Sequence, residues 1–154
     1  MALAPVLNSI GFRTVVMDNR AEFVTEERFP NAEQLVCGDF TKIDEYIEVK
    51  DEDYIVVMTS GHAYDYEVEE QILRKKCAYV GVIGSRAKTA AVNEKLRAAG
   101  ICEDAIQSVH TPIGLSIRAV TPEEIAISIA AELIMVRAEA RERANIKTSI
   151  GCPM

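Results

Sequence analysis

Residues 54–83 read YIVVMTSGHAYDYEVEEQILRKKCAYVGVI, and they decide the fold class. Two runs rich in β-branched and aromatic residues, 54–59 and 79–83, bracket an amphipathic stretch over 66–76 with Val68, Ile72 and Leu73 on one face. Strand, helix and strand in that order make a βαβ unit, which joins parallel strands. The first run is apolar almost without interruption, the pattern of a strand buried on both faces of a parallel sheet. Gly81 inside the second run points to another group approaching that strand closely.

Working outward, the alternation continues. Residues 2–10 read as a short helix stopped by Gly11, residues 12–17 (FRTVVM) as a strand ending at Asp18, and residues 35–37 as a brief strand. Asp39 or Thr41 then caps a helix through Ile47. Downstream, 86–99 is a helix with Val92 and Leu96 inward and Gly100 as its stop, 103–106 is a short helix, and 110–120 is a turn-rich loop. Thr121-Pro122-Glu123-Glu124 combines a Thr cap, Pro at the first helical position and a Glu placed to close a capping box. That helix is expected to reach Arg143, its first half apolar nearly all round and buried, its second half charged and exposed. The expected organisation is one α/β, Rossmann-like domain over 1–144 with a mainly parallel sheet, followed by a loose tail over 145–154.

Composition narrows the function. The chain has 154 residues, enough for one core, with 49% hydrophobic and 27% charged residues, a soluble globular balance. A net charge of -7 argues against nucleic acid as a partner, since duplex binding relies on clustered cations. No apolar run approaches the roughly 20 residues of a membrane span, and residues 1–10 lack the pattern of a secretion signal, so a cytoplasmic location is expected. Cys37, Cys77, Cys102 and Cys152 are scattered, without a C-x-x-C pair or a nearby histidine. They read as buried free thiols, with no metal site.

Ligands of open parallel sheets bind beyond the carboxyl ends of the strands, so the segments after each strand carry the candidates. Asp18 stands where a dinucleotide-binding fold places its ribose-binding carboxylate, and Arg20 suits a 2'-phosphate, which leaves NAD and NADP both open. Gly61 and His62 follow the 54–59 strand, where an imidazole serves as general acid or base or holds a polar ligand atom. Asp65 either caps the next helix or joins His62 in catalysis. Gly84, Ser85, Arg86 and Lys88 open a helix whose N-terminal N–H groups and cations suit an anion, with Ser85 as a plain cap the alternative. The turn at 110–115, with Gly114, either closes over a ligand or merely connects two elements. No G-x-G-x-x-G fingerprint occurs in the chain.

Several strings together resemble the xanthine dehydrogenase accessory proteins of XdhC or CoxI type. They are Gly11-Phe12 with Val15 to Arg20 and Glu22-Phe23, Glu27-Arg28-Phe29-Pro30, Gly61-His62-x-Tyr64-Asp65, Tyr79 to Arg86 with Lys88, Pro112-Ile113-Gly114-Leu115, and Thr121 to Ala126 running on to Ala131-Glu132. The resemblance implies a Rossmann-like domain that assists maturation of a molybdenum hydroxylase such as xanthine dehydrogenase. It would bind the molybdenum cofactor (molybdopterin) and hand it to the apo-enzyme; an NAD(P)-binding oxidoreductase domain is the alternative. Asp18, His62, Asp65, Ser85, Arg86 and Gly114 carry over as site candidates. The family pattern also implies a strand and glycine-histidine loop immediately before Ala2, and an N-terminal domain, none of which this chain contains. Ser60 stands where an Arg is expected before Gly-His, and Arg118 where a Gly is expected. A sheet lacking its central strand leaves two buried edges unpaired, so a truncated or mis-started chain stabilised by a second copy is the expectation.

Overall fold

The computed structural model describes residues 2–150, apart from the side chains of His62, Arg86 and residues 146–150. In chain order it contains α1 (Leu3–Ser9), β1 (Val15–Asp18), β2 (Gln34–Cys37), β3 (Tyr54–Val57), α2 (Asp65–Ile72), β4 (Tyr79–Val82), α3 (Arg86–Ala98), α4 (Glu103–Gln107) and α5 (Pro122–Ile150). Short 3-10 segments lie at Ala21–Phe23, Phe40–Glu45, which is kinked at Lys42, and Ser60–His62. The α/β alternation expected from the sequence is present, and all the strand pairs are parallel.

Local chemistry sets the element ends. Gly11 closes α1 at φ +84°, its N–H bonding the Asn8 carbonyl while the Phe12 N–H reaches back to Leu7 at 3.0 Å. That pair of bonds is a Schellman motif. It also takes Phe12 out of the expected strand, which therefore starts at Val15. The Asp39 carboxylate accepts the Thr41 N–H at 2.8 Å, as a cap should, but the segment it opens is a 3-10 turn instead of the expected α-helix. Thr121 and Glu124 form the expected capping box, the Glu124 N–H donating to Thr121 Oγ1 and the Thr121 N–H to Glu124 Oε2.

The sheet departs from expectation in being split. β1 pairs with β2 from Val15↔Gln34 to Asp18↔Cys37, and β3 with β4 from Tyr54↔Tyr79 to Val57↔Val82, as two separate two-stranded sheets. The carbonyls of Thr14 and Asp18 are taken from the β2 side, and those of Asp53 and Val57 from the β4 side. By the alternation of a parallel ladder, the peptide groups of Val15 and Met17 and of Tyr54 and Val56 turn into the space between the two pairs. That space is a groove of about 760 Å³, lined by these residues and by Met58. On the far side of β4 the chain returns at His110, bridged in parallel to Gly81.

Side-chain parity sorts the core into two faces. Ile55, Val57, Val80 and Val82 meet Val68 and Ile72 of α2 together with Phe40 and Ile43. Tyr54 and Tyr79 point the other way, against Leu7 of α1 and Ile129, Ala130 and Leu133 of α5. Leu96, Ile101 and Ile106 close a third cluster under α3 and α4. Gly81 lies under Ile113: a Cβ there would sit 2.5 Å from Ile113 Cδ1, the close approach its presence in a strand suggested.

Two expectations about α5 and one about the thiols are corrected. Ala126, Ile129, Ala130 and Leu133 are buried, but Ile125, Ile127, Ile134 and Met135 are exposed, because only one side of the helix meets the sheet. The helix runs on to Ile150, past both Arg143 and the expected start of a tail at Asn145. Residues 151–154, including Cys152, lie outside the described residues. Cys37 and Cys102 are exposed free thiols, not buried ones, and Cys77 is half-buried.

The helix and sheet are locked by one carboxylate. Glu132, on α5 and 7% exposed, accepts from the Tyr79 hydroxyl at 2.8 Å, from the Gly114 N–H at 2.6 Å, and lies 2.9 Å from His110 Nδ1. Burial alone would raise its carboxyl, and the donors Tyr79, Gly114 and His110 reverse that and hold it below the usual value. Burial first, and the same contact second, push the Tyr79 phenol up. Replacing Glu132 by Ala strands the buried Tyr79 hydroxyl and the half-buried Gly114 N–H, so urea unfolding at pH 7 is expected to lose about 3 kcal/mol. A carboxyl depressed in the folded state contributes above its unfolded value and loses that contribution as pH falls through the folded one. The gap between Glu132→Ala and the parent chain should therefore close in acid, below about pH 4.

Candidate functional site

At the carboxyl ends of β3 and β4 the chain leaves the sheet and enters α2 and α3, and these two helices diverge around a cavity of about 280 Å³. Its polar lining is Asp65 and Glu69 from α2, Lys88 and Thr89 from α3, and Thr111 from the loop beyond α4. Gly61 and Gly84 leave its mouth open, and Val82, Ile83, Ala91 and Val92 form apolar walls. The position agrees with the rule that open parallel sheets bind ligands beyond their strand termini.

Asp65 is the first residue of α2 and does not cap it. Tyr64 holds the cap position, and the Asp65 carboxylate instead accepts the Thr59 hydroxyl at 2.6 Å. Thr59 in turn receives the Tyr64 N–H at 3.3 Å, so the end of β3 fixes the acid in place. One turn on, Glu69 shares its face of the helix, as an i, i+4 pair must. Both acids are only 4% exposed. No hydrogen bond reaches the Glu69 side chain among the described residues. Burial first, and the negative charge of Asp65 second, push the Glu69 carboxyl up to about 7. Near neutral pH this group is poised to hold or release a proton.

The α3 side carries one cation among the described lining residues, Lys88. Ser85 occupies the cap position of α3 in extended conformation but makes no side-chain cap bond, so the bland reading of it as a capping hydroxyl is not what is found. Lys88 lies one turn inside and enters no ion pair among the described residues. Thr89 bonds the Ser85 carbonyl and lies 3.0 Å from the Thr111 hydroxyl, which ties the cavity rim to the loop that Glu132 anchors.

Of the sequence candidates, Gly61, Asp65, Gly84 and Lys88 come together here. The His62 and Arg86 side chains lie outside the described residues. Asp18 and Arg20 are elsewhere: Arg20 grips both carboxylate oxygens of Asp18, at 3.0 and 3.1 Å, and covers the Phe23 ring at 3.9 Å. The Asp18 carboxyl is lowered chiefly by that side-chain bond. Neither residue lines the cavity, and Asp18 borders the groove between the two sheets. Gly114 is also apart from it. With φ +95° and Ser128 of α5 in the space a Cβ would need, it serves to bring its N–H to Glu132. Arg118 is exposed, at φ +60°, and does not line the cavity. Among the described residues no group of three His, Cys, Asp or Glu side chains is placed to hold a metal.

Sequence reasoning singled out Asp65 on this helix and missed Glu69. The available signal was its position beside Val68 and Ile72 on the inward face, where a carboxylate is out of place.

Fold and cavity together define a Rossmann-like α/β domain with its site at the strand carboxyl ends. The chain matches the family described as XdhC Rossmann domain over residues 1–133, and it belongs to that family. It is 30% identical over 137 residues to the uncharacterised protein YqeB of Escherichia coli, covering 88% of this chain and 25% of that protein. It is 30% identical over 135 residues to a probable xanthine dehydrogenase subunit of Bacillus subtilis, covering 88% of this chain and 39% of that one. Among solved structures, a xanthine dehydrogenase from Bacillus halodurans superposes with a TM-score of 0.77 at 30% identity, over 90% of this chain and 39% of that chain. The chain therefore spans well under half the length of these relatives.

A carboxyl raised in the folded state leaves stability intact below its unfolded value, near 4.5, and removes it as pH rises through about 7. Glu69→Gln deletes that penalty. It should raise urea-unfolding stability at pH 8 by up to about 3 kcal/mol and flatten the pH profile between the two values.

Proposed function

We propose that this chain is the cofactor-handling domain of an accessory factor for a molybdenum hydroxylase of the xanthine dehydrogenase type. It binds the molybdenum cofactor (molybdopterin) in the cavity between α2 and α3 and delivers it to the apo-enzyme. The observation that carries this reading is the cavity itself, with the Glu69 carboxyl, which no described residue bonds, on one wall and Lys88 beside the N-terminus of α3, which has no side-chain cap, on the other. A cofactor with a hydrogen-bonding ring and an anionic tail meets a suitable group at each end. The alternative, an NAD(P)-dependent oxidoreductase, draws less support because the carboxylate of Asp18 is already paired with Arg20 through both its oxygens. The domain acts as a carrier, not a catalyst, and works in the cytoplasm. No helix among the described residues is long and apolar enough to cross a membrane.

Two surfaces support association. The groove between β1 and β3 turns unsatisfied peptide edges outward, and Ile127 and Ile134, two turns apart on α5, form an exposed apolar stripe with Val120. A second copy of the chain and the apo-hydroxylase are the partners this reading assigns to them. Light scattering is expected to report an oligomer; a monodisperse monomer would count against the second copy.

Titration with purified molybdenum cofactor, and separately with NADH and NADPH, tests the function. Saturable binding of the first, no binding of the nicotinamides, and activation of apo-hydroxylase by the loaded chain are expected. Nicotinamide binding in place of cofactor binding would transfer the assignment to the oxidoreductase.

A further inference from the structure

The Glu69 carboxyl specifies what kind of group the cavity accepts. It is 4% exposed, lines the cavity, and has no donor among the described residues. Its oxygens face the cavity, so an occupant that displaces solvent from them without supplying donors leaves a charged acceptor unsatisfied, and one that supplies donors is strongly preferred. An anion is repelled there, because Asp65 shares the same helix face one turn away. An aliphatic occupant leaves Glu69 as it was. What suits the site is a group with N–H donors, and two coplanar N–H groups match a carboxylate as a bidentate pair. The apolar walls of Val82, Ile83 and Val92 favour a flat ring, and about 280 Å³ is the small end of ligand sites, enough for a single ring system.

We infer that the cavity recognises the aminopyrimidinone edge of a bicyclic nitrogen heterocycle, with Glu69 accepting from the ring N–H and the exocyclic amino group. Asp65, held by Thr59, keeps anionic groups away from that end, and Lys88 draws an anionic substituent toward the mouth. This inference rests on the cofactor-binding reading above and names the part of the cofactor that is read. It also makes the acidity of the wall purposeful: Gln at position 69 has the same shape but presents an amide N–H toward one of the ligand's donors.

Pterin and lumazine separate the possibilities, because lumazine keeps the pteridine rings and replaces the amino group by a carbonyl. Calorimetric titration of the unaltered chain should show pterin binding at least 10-fold tighter than lumazine. Glu69→Gln should lose at least 10-fold in pterin affinity while leaving lumazine unchanged, with circular dichroism and the urea midpoint confirming that the variant is folded. Equal affinity for the two rings in the unaltered chain overturns the inference, and that comparison requires no variant. Undiminished pterin binding by Glu69→Gln overturns it as well. Activation of apo-hydroxylase by a chain that does not distinguish the rings would sink the edge recognition and leave the maturation role standing. A clear pterin preference without any hydroxylase activation would do the reverse.

Discussion

The Glu132 carboxylate is the contact on which the rest of the domain depends. It sits on the buried side of α5 and gathers the Tyr79 hydroxyl from β4, the Gly114 N–H from a tight turn and the His110 ring from the segment bridged to Gly81. Each donor comes from a different stretch of chain, so one charge fixes a helix, a strand and a returning loop in a single register. The loop it secures carries Thr111, whose hydroxyl meets Thr89 on α3 and closes one side of the cavity. Structural order thus passes from the core to the site through two hydrogen-bonded steps.

The split sheet shapes the molecule in a complementary way. Because β3 and β4 pair with each other and not with β1, the cavity is built from the βαβ unit, α3 and the returning loop, while Phe40 and Ile43, from the turn after β2, pack on the same unit. The β1–β2 half holds Asp18 and Arg20 in a closed ion pair against Phe23, away from the cavity. Polar chemistry that the strand-end rule would gather into one cleft is therefore divided, with Asp65, Glu69 and Lys88 on one half and the Asp18–Arg20 pair on the other. The membership of the XdhC Rossmann domain family and the likeness to a solved xanthine dehydrogenase chain agree with the α/β architecture.

Much of the fold was legible because its signals are local. The apolar runs at 54–59 and 79–83, Gly11, and the Thr121 capping box each act within a few residues, and each appears where its chemistry requires. The site was legible in part. Gly61, Asp65, Gly84 and Lys88 could be named because they follow strands, but Asp18 and Arg20 follow a strand too and form a closed pair instead. Nothing in the order of residues reveals that an acid has already been neutralised by the guanidinium two residues on. Glu69 escaped notice for the opposite reason: it lies mid-helix among other acids, and only packing decides which acid faces inward.

Sequence alone determined most of the element types, their order and the parallel pairing of β3 with β4, since periodicity and capping depend on neighbours along the chain. Tertiary structure alone decided that β1 and β3 stay apart, that one face of α5 remains exposed, and that Glu69 and Glu132, two buried carboxyls, have opposite fates. Glu132 meets three donors and is held ionised, whereas Glu69 meets none among the described residues and is pushed toward its protonated form. The difference is one of surroundings in space, which desolvation and hydrogen bonding set and which no spacing in the sequence encodes.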